Sequence, residues 1–370
     1  MSRISLATIF SGIGAPEFAA REVFDEVETV FACEIDKYAR QSYLANHEID
    51  EARFFADVKE LDARPYAGQI DILIGGSPCQ DFSIAGLHAG VCGSRGSLVW
   101  EYLRVLSQCK PRVFVFENVK GLISVSHTSA FYAMMEEFRR LGYYCHAQIA
   151  NTKDYGIPQN RERLYIVGFL DEDEYYAFSY APETGCGKLA DYLDRDVNEK
   201  YFLSDKALAY FHSKHPKFNG KFEPRNENEG VATTITTNPG HRRTDTFIKV
   251  VGELDAKGNE SIRRVYDTCG IAPTLTTATG GGHTPKILQK TRGLKQGCAL
   301  ERNNPLKGER IRKLTPRECL RLQGFPESFK IVVSDTQVYK QAGNAMSVNV
   351  IKMIFWQIQK AKIGQFKLVG

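Results

Sequence analysis

One thiol, several carboxylates and a pair of guanidiniums stand in contexts that could support covalent chemistry. The thiol is Cys79, in the run Gly75-Gly76-Ser77-Pro78-Cys79-Gln80-Asp81-Phe82-Ser83. That run directly follows Ile70-Asp71-Ile72-Leu73-Ile74, which reads as a short buried parallel strand. Cys79 would then sit past the strand's carboxyl end, where open α/β sheets bind ligands. Pro78 fixes its own φ, and the two glycines let the backbone pass close to a ligand. A free cysteine is otherwise a small buried apolar residue, so its partners decide whether it is a nucleophile.

The first partner is Glu117, directly after the apolar run Pro111-Arg112-Val113-Phe114-Val115-Phe116. A carboxylate there can share a site with Cys79; a loop glutamate in solvent is the alternative. The second is the pair Arg161 and Arg163, in Tyr155-Gly156-Ile157-Pro158-Gln159-Asn160-Arg161-Glu162-Arg163 ahead of a strand over Leu164 to Phe169. Alternate residues of an extended chain share a face, so the two guanidiniums could orient an anion or a carbonyl, or form surface ion pairs.

A further group lies near the amino terminus. Leu6 to Phe10 reads as a strand, Ser11-Gly12-Ile13-Gly14 as a glycine turn, and Pro16 suits the first position of a helix. Position 17 is Glu, so a full G-x-G-x-x-G is absent. A second strand, Thr29 to Cys33, ends at Glu34. That carboxylate stands about twenty residues beyond the glycines, where Rossmann-like sites bind ribose hydroxyls. Asp57 follows a third strand end, Phe54-Phe55-Ala56. Together these point to an adenosine-containing cofactor. No Lys-Ser/Thr follows the glycines, so this is not a P-loop.

Other elements must hold these groups. Ile84 to Gly96 is rich in small residues and reads as a loop able to close over a substrate. A helix over Ser97 to Gln108 follows, with Leu98, Tyr102, Val105 and Leu106 on one side. Phe131, Met134, Met135, Phe138 and Leu141 fall at helical spacing, read as core, with Gly142 as the stop. Near residue 180 the sequence becomes polar, basic and rich in Gly and Thr. Gly230-Val231-Ala232-Thr233-Thr234-Ile235-Thr236-Thr237 reappears as Gly270-Ile271-Ala272-Pro273-Thr274-Leu275-Thr276-Thr277. Each copy runs into a Gly/His loop, the first holding Arg242 and Arg243. Each then returns on an apolar strand, Phe247 to Val251 and Pro285 to Leu288. Two hairpins with polar tips suit a nucleic-acid groove; a structural duplication is the alternative. Thr315, Pro316 and Glu318 read as a capping box with Gly324 as the helix stop, and Tyr339 to Val348 leads into an apolar helix through Phe355 and Ile358.

The chain has 370 residues, 43% apolar and 25% charged, which fits about two globular domains. There is no apolar run of transmembrane length, and the start lacks the apolar core of a signal peptide. Nine cysteines without a Cys-x-x-Cys pair argue against a disulfide framework and a zinc ribbon, and for a reducing cytoplasm. Residues 1–199 hold 19 Lys and Arg against 30 Asp and Glu, whereas residues 200–330 hold 24 against 13. The basic part is suited to a polyanion, or is a solvated basic face.

In this order the motifs resemble the bacterial C5-cytosine-specific DNA methyltransferase family. The matching stretches are Phe10 to Gly14, Glu34-Ile35-Asp36, Asp57, Pro78-Cys79-Gln80, Glu117-Asn118-Val119, Gln159 to Arg163, Leu314 to Pro326 and Gln341-Ala342-Gly343-Asn344. They cover nearly the whole chain. The resemblance implies an α/β, Rossmann-like AdoMet-dependent domain (residues 1–180 and 336–370) and a smaller, mostly β or irregular target-recognition domain (181–335). It implies S-adenosylmethionine as methyl donor, S-adenosylhomocysteine as product, and no metal. Phe10, Gly12, Ile13, Gly14, Glu34, Ile35, Asp57, Val58, Pro78, Leu98, Asn344 and Met346 would hold that cofactor, Glu34 at the ribose and Asp57 at the adenine.

By the same resemblance Cys79 would add to cytosine C6, Glu117 would serve N3, and Arg161 and Arg163 would orient the base and the cysteine side. Thr274 and Thr276 would meet phosphate and Arg264 a guanine edge. Ser261 would lie near the space left by a flipped base, and Arg242 and Arg243 at a DNA-facing tip. Ala85 departs from relatives that carry Ser in the closing loop. The partners implied are double-stranded DNA, no membrane, a monomeric enzyme in the bacterial cytoplasm at the nucleoid, and room for a cognate restriction endonuclease of the same system. An RNA-acting branch of the fold and a non-catalytic DNA binder are the rivals. Gln80 to Ser83 and the long insert favour DNA, and intact Cys79, Glu117 and Arg161 favour catalysis.

Overall fold

Near-continuous apolar runs, which place apolar side chains on both faces of short strands, dictate a sheet covered on both sides. The computed structural model describes residues 2–77, 98–124, 128–181, 184–202, 250–253, 264–266, 272–273, 286–290 and 309–368. Its strands are β1 (Arg3–Ile9), β2 (Glu26–Cys33), β3 (Phe54–Phe55), β4 (Ile72–Gly75), β5 (Val113–Val119), β6 (Tyr144–Asn151), β7 (Gln159–Asn160), β8 (Glu162–Phe169), β9 (Val250–Glu253), β10 (Arg264–Tyr266), β11 (Ala272–Pro273), β12 (Lys286–Lys290) and β13 (Glu309–Lys313). Its helices are α1 (Ala15–Arg21), α2 (Lys37–Asn46), α3 (Leu98–Cys109), α4 (Thr128–Arg140), α5 (Glu172–Ala177), α6 (Pro316–Arg321), α7 (Asp335–Asn344) and α8 (Val348–Leu368).

The main sheet has the order β3-β2-β1-β4-β5-β8-β6. The strands from β3 to β5 are parallel, and β8 runs antiparallel to both β5 and β6. Strand order reverses between β1 and β4, the switch point where such sheets bind ligands beyond their carboxyl ends. Successive residues pack into different cores. Ile72, Ile74, Val113 and Val115 join α1, α6, α7 and α8 on one face, while Leu73, Phe114 and Phe116 join α3 and α4 on the other. This is the expected α/β fold.

The first face joins distant parts of the chain. Phe24 of the α1–β2 connection meets Phe355 of α8, and Phe18 of α1 meets Phe325 just after α6, with ring centroids 6.1 and 5.6 Å apart. Burial of such rings supplies much of the drive to close the layer.

Several elements differ from the sequence expectation. Pro16 is the second residue of α1, because Gly14, at φ 83°, serves as its N-cap. Glu117 lies inside β5, paired with Tyr165 of β8, since the antiparallel partner extends the ladder beyond the apolar run. α6 ends at Arg321, and Gly324 takes φ 86° three residues later. Among the described residues the second expected hairpin is not seen: β11 pairs in parallel with β7, while β12 pairs with β10 and β13. Pro273 has no N–H to give to a ladder. The first copy of the repeat, including Arg242 and Arg243, lies outside the described residues, as does the loop over residues 84–96.

The capping box forms as expected. Thr315 Oγ1 accepts from the Glu318 amide, and Glu318 accepts from the Thr315 amide. The same carboxylate receives Arg312 at 2.7 and 2.8 Å, with both side chains 0% exposed. Glu318→Gln would leave a buried guanidinium without its counter-charge. Urea denaturation is expected to show a loss of about 3–5 kcal/mol, against about 1–2 kcal/mol for Thr315→Ala, which removes one cap bond and the 3.2 Å bond that Thr315 Oγ1 donates to Asp194. Equal losses would show that the ion pair adds nothing beyond the cap.

Candidate active site

The amino-terminal turn is built from backbone that most residues avoid. Phe10, Gly12 and Gly14 have φ of 55°, 58° and 83°. A non-glycine residue such as Phe10 in that region is uncommon and marks a position the surroundings enforce. The Ser11 amide donates to Cys33 O and the Gly14 amide to Ser11 O, both at 3.0 Å. Ser11 Oγ accepts from the Cys33 amide at 3.0 Å and stands 2.7 Å from Thr8 Oγ1. The turn after β1 is thereby tied to the end of β2.

That tie carries Glu34 to the turn. Its Oε2 accepts from the Gly12 amide and its Oε1 from the Asp36 amide, each at 2.8 Å. Burial raises its pKa, opposed by those two amide bonds. A Cβ on Gly12 would meet nothing within 4 Å, and the neighbouring Ile35 is 71% exposed. An open glycine turn, a fixed carboxylate able to accept from a diol and an apolar side chain facing outward suit a nucleoside cofactor. Asp36 caps α2 by accepting from the Tyr38 and Ala39 amides, and Lys340 of α7 reaches its other oxygen at 2.5 Å. Asp57 accepts from the Lys59 amide. Val58 is buried, and its carbonyl receives Arg104 of α3, three turns' worth of helix that begins at the half-buried Leu98. Phe10 and Leu98 pack against the same apolar cluster as Val58.

A second group gathers at β4 and β5. A Cβ on Gly75 would meet Ile9 O at 2.5 Å, and one on Gly76 would meet Glu117 Oε2 at 2.7 Å and Met346 Cε at 3.2 Å. The glycines thus admit protein neighbours, where the sequence suggested a ligand. Asn118 Nδ2 donates to Ser77 O at 3.0 Å, fixing the chain just before Pro78. In the sequence Asn118 stands in the Glu117-Asn118-Val119 stretch with no role of its own assigned. The available signal was a polar amide at the end of a strand buried elsewhere.

The two arginines diverge. Arg163 Nε lies 3.2 Å from Glu117 Oε1. Arg161 stands between β7 and β8, 3% exposed, and donates from Nη1 to Gly343 O at 3.1 Å and from Nη2 to Ala345 O at 2.9 Å. Desolvation lowers its pKa to about 9. A shared face was expected; the break between β7 and β8 separates their directions. Asn344, between the two carbonyls, is exposed, and Met346 is buried. Arg264 lies on β10, opposite Glu253. Pro78, Cys79, Ser261, Thr274, Thr276, Arg242 and Arg243 lie outside the described residues. β11 brings the chain immediately before Thr274 alongside Gln159 and Asn160. Among the described residues, no group of three or more His, Cys, Asp or Glu could hold a metal ion, and no helix is long and apolar enough to cross a membrane.

The architecture is shared with known enzymes. The Dnmt2 methyltransferase of S. pombe superposes with a TM-score of 0.62 at 19% identity, over 96% of this chain and 98% of that one. With this sheet and its switch-point turn, the likeness defines an α/β AdoMet methyltransferase fold. A family model described as C-5 cytosine-specific DNA methylase matches residues 4–360, and the chain belongs to that family of DNA cytosine-5-methyltransferases. It is 31% identical to the orphan methyltransferase M.Rho11sI of Bacillus phage rho11s, over 97% of this chain and 98% of that protein. It is 33% identical to the type II methyltransferase M.NlaX of Neisseria lactamica, over 95% of each.

The turn also has a titratable support. His47, the C-cap of α2, is 5% exposed, and burial holds its pKa down to about 3 from 6.5. The nearby Arg21 adds to the shift, opposed by the bond to Ile13. The unfolded chain takes up this proton as pH falls through 6.5; the folded protein resists to about pH 3. Stability present above pH 6.5 is therefore lost as pH falls toward 3. Unfolding midpoints measured across that window should fall more steeply for the wild type than for His47→Gln. Parallel slopes would show that His47 does not carry this acid sensitivity.

Proposed function

We propose that this protein methylates C5 of a cytosine flipped out of a short duplex DNA sequence, with Cys79 as nucleophile and S-adenosylmethionine as donor. The observation that carries this reading is the convergence of Glu117, Arg163 and Met346 at Gly76, three residues before Cys79. A base inside a duplex is out of reach of such a site, so it must leave the stack.

The residue types fit the reaction. Cytosine C5 is a weak nucleophile. Addition of the Cys79 thiolate to C6 pushes an electron pair toward C5, which becomes enamine-like. Cysteine suits this step because part of it is thiolate near neutral pH. Glu117, oriented by Arg163, gives a proton to N3 as negative charge develops there. Arg161 holds the Gly343 to Ala345 segment, and through it the Asn344 and Met346 side of the site. S-adenosylmethionine, when bound, supplies an electrophilic sulfonium methyl and leaves as S-adenosylhomocysteine. Water then takes the C5 proton, the freed electron pair re-forms the C5–C6 double bond and expels Cys79 as thiolate, and N3 returns its proton to Glu117.

On this reading Phe10, Gly12, Ile13 and Gly14 line the donor pocket with Pro78 and Leu98. Glu34 accepts from the ribose hydroxyls, Ile35 covers the adenine, and Asp57 and Val58 bound its amino edge. Residues 1–180 and 336–370 form the catalytic domain. Residues 181–335 read the DNA, with Ser261, Arg264, Thr274, Thr276, Arg242 and Arg243 at its surface. The enzyme acts as a monomer at the bacterial nucleoid, alone or beside a cognate endonuclease.

Bisulfite sequencing of a plasmid from cells expressing the chain tests the whole reading. One short motif is expected to be protected with the wild type and unprotected with Cys79→Ser. Soluble wild type that protects no cytosine, yet labels transfer RNA, would overturn it. In the purified enzyme Glu117→Gln is expected to lower kcat about 10²- to 10⁴-fold, with S-adenosylhomocysteine binding retained.

A further inference from the structure

The Ser11–Gly14 turn is soft by composition. Glycines at positions 12 and 14 both take positive φ, and such residues leave a peptide group free to flip unless something holds it. Glu34 holds the Gly12 amide. The Ile13 carbonyl is held from the opposite side: His47 Nε2 lies 3.2 Å from Ile13 O. A carbonyl only accepts, so Nε2 carries the proton and the neutral ring donates. The ring is wedged in place by Phe18 and Tyr43, with centroids 4.7 and 4.6 Å away. It also presses on the turn itself, because a Cβ on Gly14 would fall 2.0 Å from His47 Nε2.

This placement is costly for the other ring nitrogen. His47 Nδ1 is buried without a hydrogen-bond partner among the described residues. An apolar ring would suit the Phe18–Tyr43 cage better, since an unpaired buried acceptor is penalised. What histidine offers that phenylalanine cannot is the Nε2 proton on Ile13 O.

We propose that His47 is a positioning residue for methyl-donor binding, fixing the Ile13 peptide so that the glycine turn keeps one shape. This rests on the reading of that turn as the donor pocket. His47 touches neither base nor donor in this role; it acts through the Ile13 carbonyl. The underside of the same turn is braced separately, by Glu17 Oε1 accepting from Thr8 Oγ1 at 2.8 Å and Tyr43 Oη at 2.7 Å. Loss of the His47 bond should therefore loosen the turn without unfolding it.

The test is isothermal calorimetry of S-adenosylhomocysteine on wild type, His47→Phe and His47→Gln, beside thermal melts of each protein without ligand. Phenylalanine fills the cage but has no donor; glutamine brings an amide N–H to a similar reach. His47→Phe is expected to bind about fivefold more weakly, the ratio one net hydrogen bond carries, with an unchanged or raised melting temperature. His47→Gln should recover most of the affinity. In turnover, KM for S-adenosylmethionine should rise in His47→Phe while kcat and KM for DNA stay near the wild-type values. Wild-type affinity in His47→Phe would overturn the proposal. So would equal losses in both variants with lowered melting temperatures, which would make the role structural. A wild type that binds no S-adenosylhomocysteine would overturn the donor-pocket reading and this one with it.

Discussion

The buried guanidinium of Arg161 is the constraint on which the site's assembly depends. Its two Nη groups donate to carbonyls two residues apart, Gly343 and Ala345, which end α7 and begin the approach to α8. Helix ends leave carbonyls without intrahelical partners, and here a side chain from a distant strand supplies the donors. Neighbouring polar bonds extend the same seam. Gln323 Nε2 donates to Ala342 O at 2.6 Å, Thr152 Oγ1 and Ser347 Oγ stand 2.7 Å apart, and Gln159 Nε2 donates to Leu322 O. Each of these groups is buried, so each must be paired or the seam opens. The result is that the last helices are locked to β7 and β8 by directional bonds as well as by apolar area.

That lock has a consequence one turn earlier in α7. Lys340 and Gln341 of that helix bind Asp36 and Tyr38 O of α2, and Ser42 donates to Gln341 Oε1. One short helix therefore touches both the Glu34–Asp36 corner and, through its C-terminus, Arg161. The Glu34–Asp36 corner and the Arg161 side of the crevice share a rigid member. Neither side is set by the sheet alone, because strand ends only bring groups near one another; the spacing between them is fixed by what spans the gap.

Much of this was legible in the sequence. The strands announced themselves by apolar runs, and the glycine turn, Glu34, Asp57 and Glu117 were found because each follows such a run directly. Thr315, Pro316 and Glu318 spelled out their cap. Less legible were features decided by pairing partners. Arg161 and Arg163 share a face only if the strand is continuous, and the break between β7 and β8 sends one to Glu117 and the other to main-chain carbonyls. The repeat read as a hairpin because its segments are adjacent in sequence, whereas β11 found its partner in β7, more than a hundred residues earlier. Asn118, matched only within the Glu117-Asn118-Val119 stretch, and His47 carry no signal of their own: a lone polar residue has no periodicity, and its partner lies elsewhere in the chain.

Gly76 shows how tightly the two halves of the crevice are joined. Any side chain there would run into the Glu117 carboxylate, the Glu117 carbonyl and the Met346 methyl at once. A larger residue at this point would have to displace the Glu117 carboxylate and the Met346 methyl. Asn118 then takes hold of Ser77 one residue later, from the strand that carries Glu117. A carboxylate whose strand also holds Ser77 cannot move independently of that residue. The position of Ser77 relative to the Glu117 carboxylate is thereby set by two adjacent residues of one buried strand, a shorter and stiffer connection than a loop-to-loop contact provides.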